Sequence, residues 1–272
     1  MVRPHELNRS FTWQRRPGPY RAISDKQAVQ YDDAGFFVFE DAFDAGEVAR
    51  LTEEIDPVEE RQEEWLRDHG GTFLIARADE ITFTTHLVLG SQFLRRFVCA
   101  PVLAGLCADL VGPDVRLYWD QAVYKKPHTE SPFPWHQDNG YAFIEPQQYL
   151  TCWIALTDAD EENGCPWVVP GVHTMGTQAH EYSDVGLVCF DRPAEAQSVP
   201  VRQGSIVVFS SLTPHCTGAN RTDRTRKAYI VQYAPDGAEV LHVDGDGRVA
   251  RTPADDPGRQ FSVLAAGLPV TA

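Results

Sequence analysis

The feature that most limits what this chain can fold into is a divided set of polar ligands. Trp135-His136-Gln137-Asp138 sits near the middle of the sequence, whereas Pro214-His215-Cys216-Thr217-Gly218-Ala219-Asn220, with Arg226 beyond it, lies far downstream. Side chains at i and i+2 of an extended segment project to the same side, so His136 and Asp138 can address one metal ion while Gln137 points away. The third ligand must then arrive on a distant strand. His215 is the candidate, because it follows the apolar run Ile206-Val207-Val208-Phe209, which reads as a buried strand delivering its end residues to a fixed place. Two such segments converge only in a fold whose core locks separate strands together.

Two neutral imidazoles and one carboxylate occupy one face of an octahedral metal and leave the opposite face open. Non-heme Fe(II) uses that open face to bind a cosubstrate and dioxygen together. A 2-oxoglutarate bound through its 2-oxo acid end would leave its far carboxylate in need of a cation. Arg226 can supply it, since a guanidinium stays charged and grips a carboxylate through two parallel hydrogen bonds. Rivals exist for both roles: His128 and His173 among the other histidines, and Arg221, Arg224 and Lys227 beside Arg226.

The segments between and around these residues predict a mainly β fold with flanking helices. Ser24 or Asp25 caps a short helix ending near Gly35, and Phe36-Phe37-Val38-Phe39 reads as a strand. Asp44 with Glu47 forms a capping pattern ahead of Val48, Leu51 and Ile55, which repeat at helical spacing. Pro57 is expected to end or bend that helix, with a second helix over 59–68. Residues 93–110 read as two helical pieces divided by Pro101. From Val115 to about 235, short β-type runs separated by Gly, Pro, Asn and Asp suit a double-sheet jelly roll. The chain thus reads as a single domain, 1–272: a helical bracing region over about 24–110, a jelly-roll core over about 115–235, and a loop-rich tail over about 236–272 without a core role. Segments 68–86 and 172–191 are expected to cover the mouth of the roll, and Trp119, Phe143, Trp153 and Trp167 are candidate substrate contacts.

These motifs resemble the phytanoyl-CoA dioxygenase family of Fe(II)/2-oxoglutarate oxygenases. The resemblance runs from about Val115 to Pro235, through the His136 motif, the strand 150–158, the turn Glu161-Glu162-Asn163-Gly164, Val168-Val169-Pro170-Gly171, and His215 with Asn220 and Arg226. It implies a double-stranded β-helix of cupin type and an enzyme using Fe(II) and 2-oxoglutarate. In the family the basic residue that holds the cosubstrate lies eleven positions after the second histidine, and Arg226 is the residue at that distance from His215. Further cosubstrate contacts implied are Thr217, Gln121 and a lysine that falls on Lys125 or Lys126, with Lys126 carried as the candidate. Related halogenases replace the carboxylate by Ala or Gly, so Asp138 implies oxygen insertion in place of halogenation. Departures at Val172 and at Gly204-Ser205 touch no metal ligand.

Composition narrows the partners. A net charge of −15 over 272 residues leaves no basic stripe for phosphates, so no nucleic-acid partner is expected. Six cysteines without a Cys-x-x-Cys pair read as reduced thiols, and the amino terminus lacks the apolar core of a secretory signal. A cytoplasmic enzyme without membrane spans is expected, with dioxygen and a small organic molecule as its partners. Its substrate is read as a natural-product intermediate or an acyl thioester, hydroxylated at an aliphatic position with release of succinate and CO2. The alternatives are a jelly-roll metalloenzyme that uses no oxo acid, and a noncatalytic small-molecule binding protein of the same fold.

Overall fold

The computed structural model describes residues 3–191 and 193–270. Its centre is a large antiparallel sheet in the order Phe36–Phe39, Ile206–Ser210, Leu150–Ala155, Arg226–Pro235, Val115–Lys125, Ile81–Thr85, Ala76–Arg77 and Thr72–Phe73. A smaller sheet runs Gln197–Ser198, Pro166–Val168, His215–Thr217, Phe133–His136. One apolar cluster joins Val123, Trp153, Val207 and Ile230 of the large sheet to Phe133 and Val168 of the small one, and this is the interior of a jelly roll. The opposite face of the large sheet presents Tyr124, Cys152, Ile154, Val208 and Val231 to the helices. The central strand Leu150–Ala155 is therefore buried along its whole length, and all of its residues but Thr151 are apolar.

The bracing helices follow from their caps and faces. In Asp25–Ala34 the Ser24 hydroxyl accepts the Gln27 amide and the Gln27 side chain reaches back to Ser24. Gly35 ends the helix at φ 85°, where a Cβ would stand 2.6 Å from the His173 ring. Pro101 opens the helix Pro101–Leu110 after the shorter Gln92–Phe97.

Two expectations are corrected. Pro57 neither ends nor divides its helix: Ala45–Asp68 is one helix of 24 residues. Pro57 lies on the exposed side, where the lost backbone bond faces water, while Val48, Leu51, Ile55 and Leu66 stay buried along the other side. The tail is not loop alone. Glu239–Val243 and Val249–Pro253 form a hairpin that extends Phe143–Glu145, and Ser262–Ala265 pairs with the start of Val115–Lys125. Val263 is fully buried in the main core. The large sheet also draws Phe36–Phe39 and Ile81–Thr85 from the bracing region. Among the described residues, no helix is long and apolar enough to cross a membrane.

Candidate active site

His136 ends one strand of the small sheet and His215 begins its neighbour, and the two are register partners. Their ring centroids lie 4.1 Å apart. Gln137 is extended (φ −108°, ψ 142°), and Asp138 opens the single helical turn Asp138–Tyr141, so the i, i+2 geometry expected from sequence holds. Asp138 Oδ1 stands 3.9 Å from His136 Nε2 and 3.8 Å from His215 Nε2. The three ligand atoms lie within 4.8 Å of one another, the spread expected of donors converging on one ion.

Hydrogen bonds prepare each donor. His136 Nδ1 contacts the Pro134 carbonyl at 2.8 Å and His215 Nδ1 the Thr213 carbonyl at 3.0 Å, which fixes the Nδ1–H tautomer and turns both Nε2 lone pairs inward. Thr151 donates to Asp138 Oδ2 at 2.6 Å and leaves Oδ1 for the centre. Burial pushes His136 down to about 3 and His215 to about 4, so both rings are neutral at pH 7, as a metal ligand must be. Burial raises the Asp138 carboxyl, while His136, Thr151 and Gln232 counteract it. The rival histidines are elsewhere: His128 pairs with Asp223 at the surface, and buried His173 contacts the Asp32 carbonyl.

Arg226 begins the strand next to Val115–Lys125 and is 1% exposed. Its Nη1 donates to the Val123 carbonyl at 3.3 Å, and its guanidinium lies 5.3 Å from the Trp153 ring centroid. Nε and Nη2 have no hydrogen-bond partner among the described residues, and neither does the buried Thr217 hydroxyl. A guanidinium with two unsatisfied donors in the core of a folded protein calls for an anion. The donor set therefore fits 2-oxoglutarate as well as iron.

The lysine is corrected. Lys126 leaves the site and pairs with Glu59 at 2.6 Å on the long helix. Lys125 is the buried one: it faces Arg226 across the strand pair and donates to the carbonyls of Ser131, Thr217 and Gly218. Burial and the Arg226 charge push its ammonium down to about 7.

A cavity of about 310 Å³ opens onto His136 and Asp138. Gln121 and Trp119 line it, and Trp119 donates to Gln121 at 3.2 Å. The other three aromatics expected there do not. Phe143 packs on His5, Trp153 lies beneath Arg226, and Trp167 packs against the apolar cluster inside the roll. The lining missed from sequence includes Tyr118, Tyr141, Tyr149, Phe83, Phe133 and Gln232. Segments 68–86 and 172–191 touch beside the cavity, since Arg77 donates to the Asp184 carbonyl and the Leu187 amide to the Tyr141 hydroxyl at 3.2 Å, but only the first of them lines it, through Ile75 and Phe83.

Comparison with known proteins bears on this centre. The chain is 30% identical over 181 residues to phytanoyl-CoA dioxygenase domain-containing protein 1 of Mus musculus, spanning 62% of each chain. It is 27% identical over 239 residues to ectoine dioxygenase of Bordetella parapertussis, with 78% of this chain and 75% of that protein covered. The crystal structure of the epimerase SnoN with Fe3+, alpha ketoglutarate (2-oxoglutarate) and nogalamycin RO superposes at a TM-score of 0.64 and 26% identity, covering 91% of this chain and 95% of that one. The carbocyclase SnoK from nogalamycin biosynthesis gives 0.65 at 25% identity, with 82% and 89% covered. The model of the phytanoyl-CoA dioxygenase family matches residues 31–228, from the first helix to the strand that carries Arg226, and the chain therefore belongs to that family of non-heme iron, 2-oxoglutarate-dependent oxygenases.

Proposed function

We propose that this oxygenase hydroxylates an aliphatic carbon of a small organic molecule whose buried part is electrically neutral, with release of succinate and CO2. The observation that carries the cosubstrate half of this reading is the buried Arg226 guanidinium with two unpartnered donors. His136, Asp138 and His215 would hold the iron, while Arg226 and Thr217 would hold the far carboxylate of 2-oxoglutarate. When bound, iron and 2-oxoglutarate together supply the reductive activation of dioxygen needed to oxidise an unactivated C–H bond.

The cavity argues the substrate half. Apart from Asp138, its lining contains no Asp, Glu, Lys or Arg, so a charged group carried inside would be desolvated without a partner. Phe83, Phe133 and Trp119 offer apolar and π surface, while Tyr118, Tyr149, Gln121 and Gln232 offer hydroxyl and amide groups. This suits a natural-product intermediate with a mostly apolar skeleton and one or two neutral oxygen functions. An acyl thioester would place only its acyl end here. Asp138 would occupy the coordination position that a halide would need, which favours oxygen insertion. The six cysteines are all free, and burial raises the Cys107, Cys152 and Cys216 thiols, as suits an enzyme of the reducing cytoplasm.

The test is incubation of purified protein with Fe(II), labelled 2-oxoglutarate and a panel of neutral polycyclic, terpenoid and acyl substrates under 18O2. The expected result is succinate formed in step with a product that has gained one labelled oxygen. Substrate-coupled succinate with a cyclised or epimerised product lacking the label would overturn hydroxylation. Failure of the protein to bind 2-oxoglutarate would overturn the assignment of Arg226.

A further inference from the structure

The segment between the two ligands of the His136 motif is held from outside the centre. Gln137 Oε1 accepts the Gln178 amide at 2.6 Å, and its Nε2 donates to the carbonyls of Leu212 at 2.6 Å and Gly176 at 3.2 Å. Leu212 lies three residues before His215, so this one amide side chain ties the first ligand segment to the approach of the second. The Gln137 backbone N–H, which stands between His136 and Asp138, donates to His180 Nε2 at 2.9 Å. His180 Nδ1 contacts the Gln178 carbonyl at 2.8 Å, which leaves Nε2 as the acceptor. The ring lies so close over Gly140 that a Cβ there would come within 2.1 Å of it. The amino-terminal segment fixes this loop in turn, since Ala179 donates to the Arg3 carbonyl and His5 to that of Thr177.

We propose that His180 is a positioning residue for the metal centre. Its imidazole holds the Gln137 peptide extended, so that His136 and Asp138 present their ligand atoms to the same point as His215. Gly140 is required because only a residue without a side chain lets the imidazole approach. The inference rests on the reading of His136, Asp138 and His215 as the metal ligands. The geometry separates this role from that of a core histidine such as His173. His173 bonds a carbonyl on the first helix, whereas His180 bonds the backbone amide of Gln137, the residue between two ligands.

The test uses Co(II) as probe, added under argon to metal-free full-length protein without 2-oxoglutarate or substrate, with binding read from its visible spectrum. Hydrogen-bonded supports of metal ligands contribute about 10- to 100-fold in metal affinity. His180→Phe, which fills the space without an acceptor, is expected to weaken Co(II) binding by that factor. His180→Gln places an amide oxygen near the position of Nε2 and is expected to stay within a few-fold of wild type. Gly140→Ala displaces the ring and should match His180→Phe, so it carries the test if that variant does not fold. Wild-type Co(II) affinity in both His180→Phe and Gly140→Ala, or no recovery in His180→Gln, would overturn the positioning role while leaving the metal centre intact. A wild-type protein that binds no Co(II) would overturn both.

Discussion

Arg226 allows two opposite effects to be predicted from one substitution. Burial pushes its guanidinium down to about 10. At about 1.4 kcal/mol per tenfold change in protonation, that is a penalty of roughly 3 kcal/mol against the buried charge when no anion accompanies it. Lys125 directly across the strand pair adds to the repulsion. Arg226→Met removes the charge and keeps most of the volume, so the metal-free, cosubstrate-free protein should become more stable, with a Tm higher by a few degrees. With Arg226 as the proposed clamp, the same substitution removes the partner of the far carboxylate of 2-oxoglutarate. It should weaken 2-oxoglutarate binding by about 2 to 5 kcal/mol, or about 1.5 to 3.5 decades in Kd. Thermal unfolding and 2-oxoglutarate titration under argon with Fe(II) read the two effects on one set of samples. Arg226→Lys should recover only part of the affinity, because one ammonium cannot reproduce a two-pronged contact. Arg221→Ala and Arg224→Ala, both at exposed positions, should change neither quantity. Undiminished 2-oxoglutarate binding in Arg226→Met would refute the clamp, and a lowered Tm with binding lost would refute the claim that the charge is held at a cost.

Three further outcomes are expected. His136→Ala and His215→Ala should each lose most bound iron and all turnover while keeping the wild-type circular dichroism; wild-type iron content in either would remove that residue from the ligand set. In excess chloride the wild-type enzyme should give only oxygenated or otherwise oxidised product, and Asp138→Gly should lose activity more readily than it gains halogenation; a chlorinated main product from the wild type would contradict the role of Asp138. Burial pushes the Asp120 carboxyl up to about 6, although it accepts from Tyr229 at 3.0 Å and from the Val88 amide at 3.2 Å. The folded state then holds this proton to higher pH than an unfolded carboxyl titrating near 4, so stability should fall as pH rises from about 4 to about 6. Asp120→Asn should remove that slope and add up to about 3 kcal/mol at pH 7; parallel stability curves for the two proteins would show that Asp120 is not the group responsible.

What could be read from the sequence followed the range of the interactions involved. The cap at Ser24 and the capping pair Asp44 with Glu47 act within one turn, and both formed where the sequence places them. The cluster of three candidate metal ligands was legible because His136 and Asp138 are local partners and His215 follows a strongly apolar strand. The separate second helix expected after Pro57 did not form, because a local cost of about 3 kcal/mol was weighed without the buried side of a 24-residue helix, which only tertiary packing reveals. The tail misled for a similar reason. Four residues, Ser262–Ala265, give almost no periodic signal, yet docked on Val115–Lys125 they bury Val263 completely.

The lining of the cavity was least legible, and the large sheet shows why. Gln232 is the register partner of Trp119 on one side and of Thr151 on the other, a row across three strands whose threonine reaches Asp138. Three residues so far apart in sequence become neighbours only when register is fixed, and a slip of one position would turn each to the opposite face. Register itself is interrupted here. Gln232 pairs with Trp119 but Tyr233 pairs with Leu117, so Tyr118 is an extra residue, a bulge in the strand. Consecutive residues of a regular strand face opposite ways, which would have sent Tyr118 away from the cavity that Trp119 lines. The bulge turns both of them into it. A one-residue irregularity that no local pattern announces thus sets two of the side chains that line the cavity.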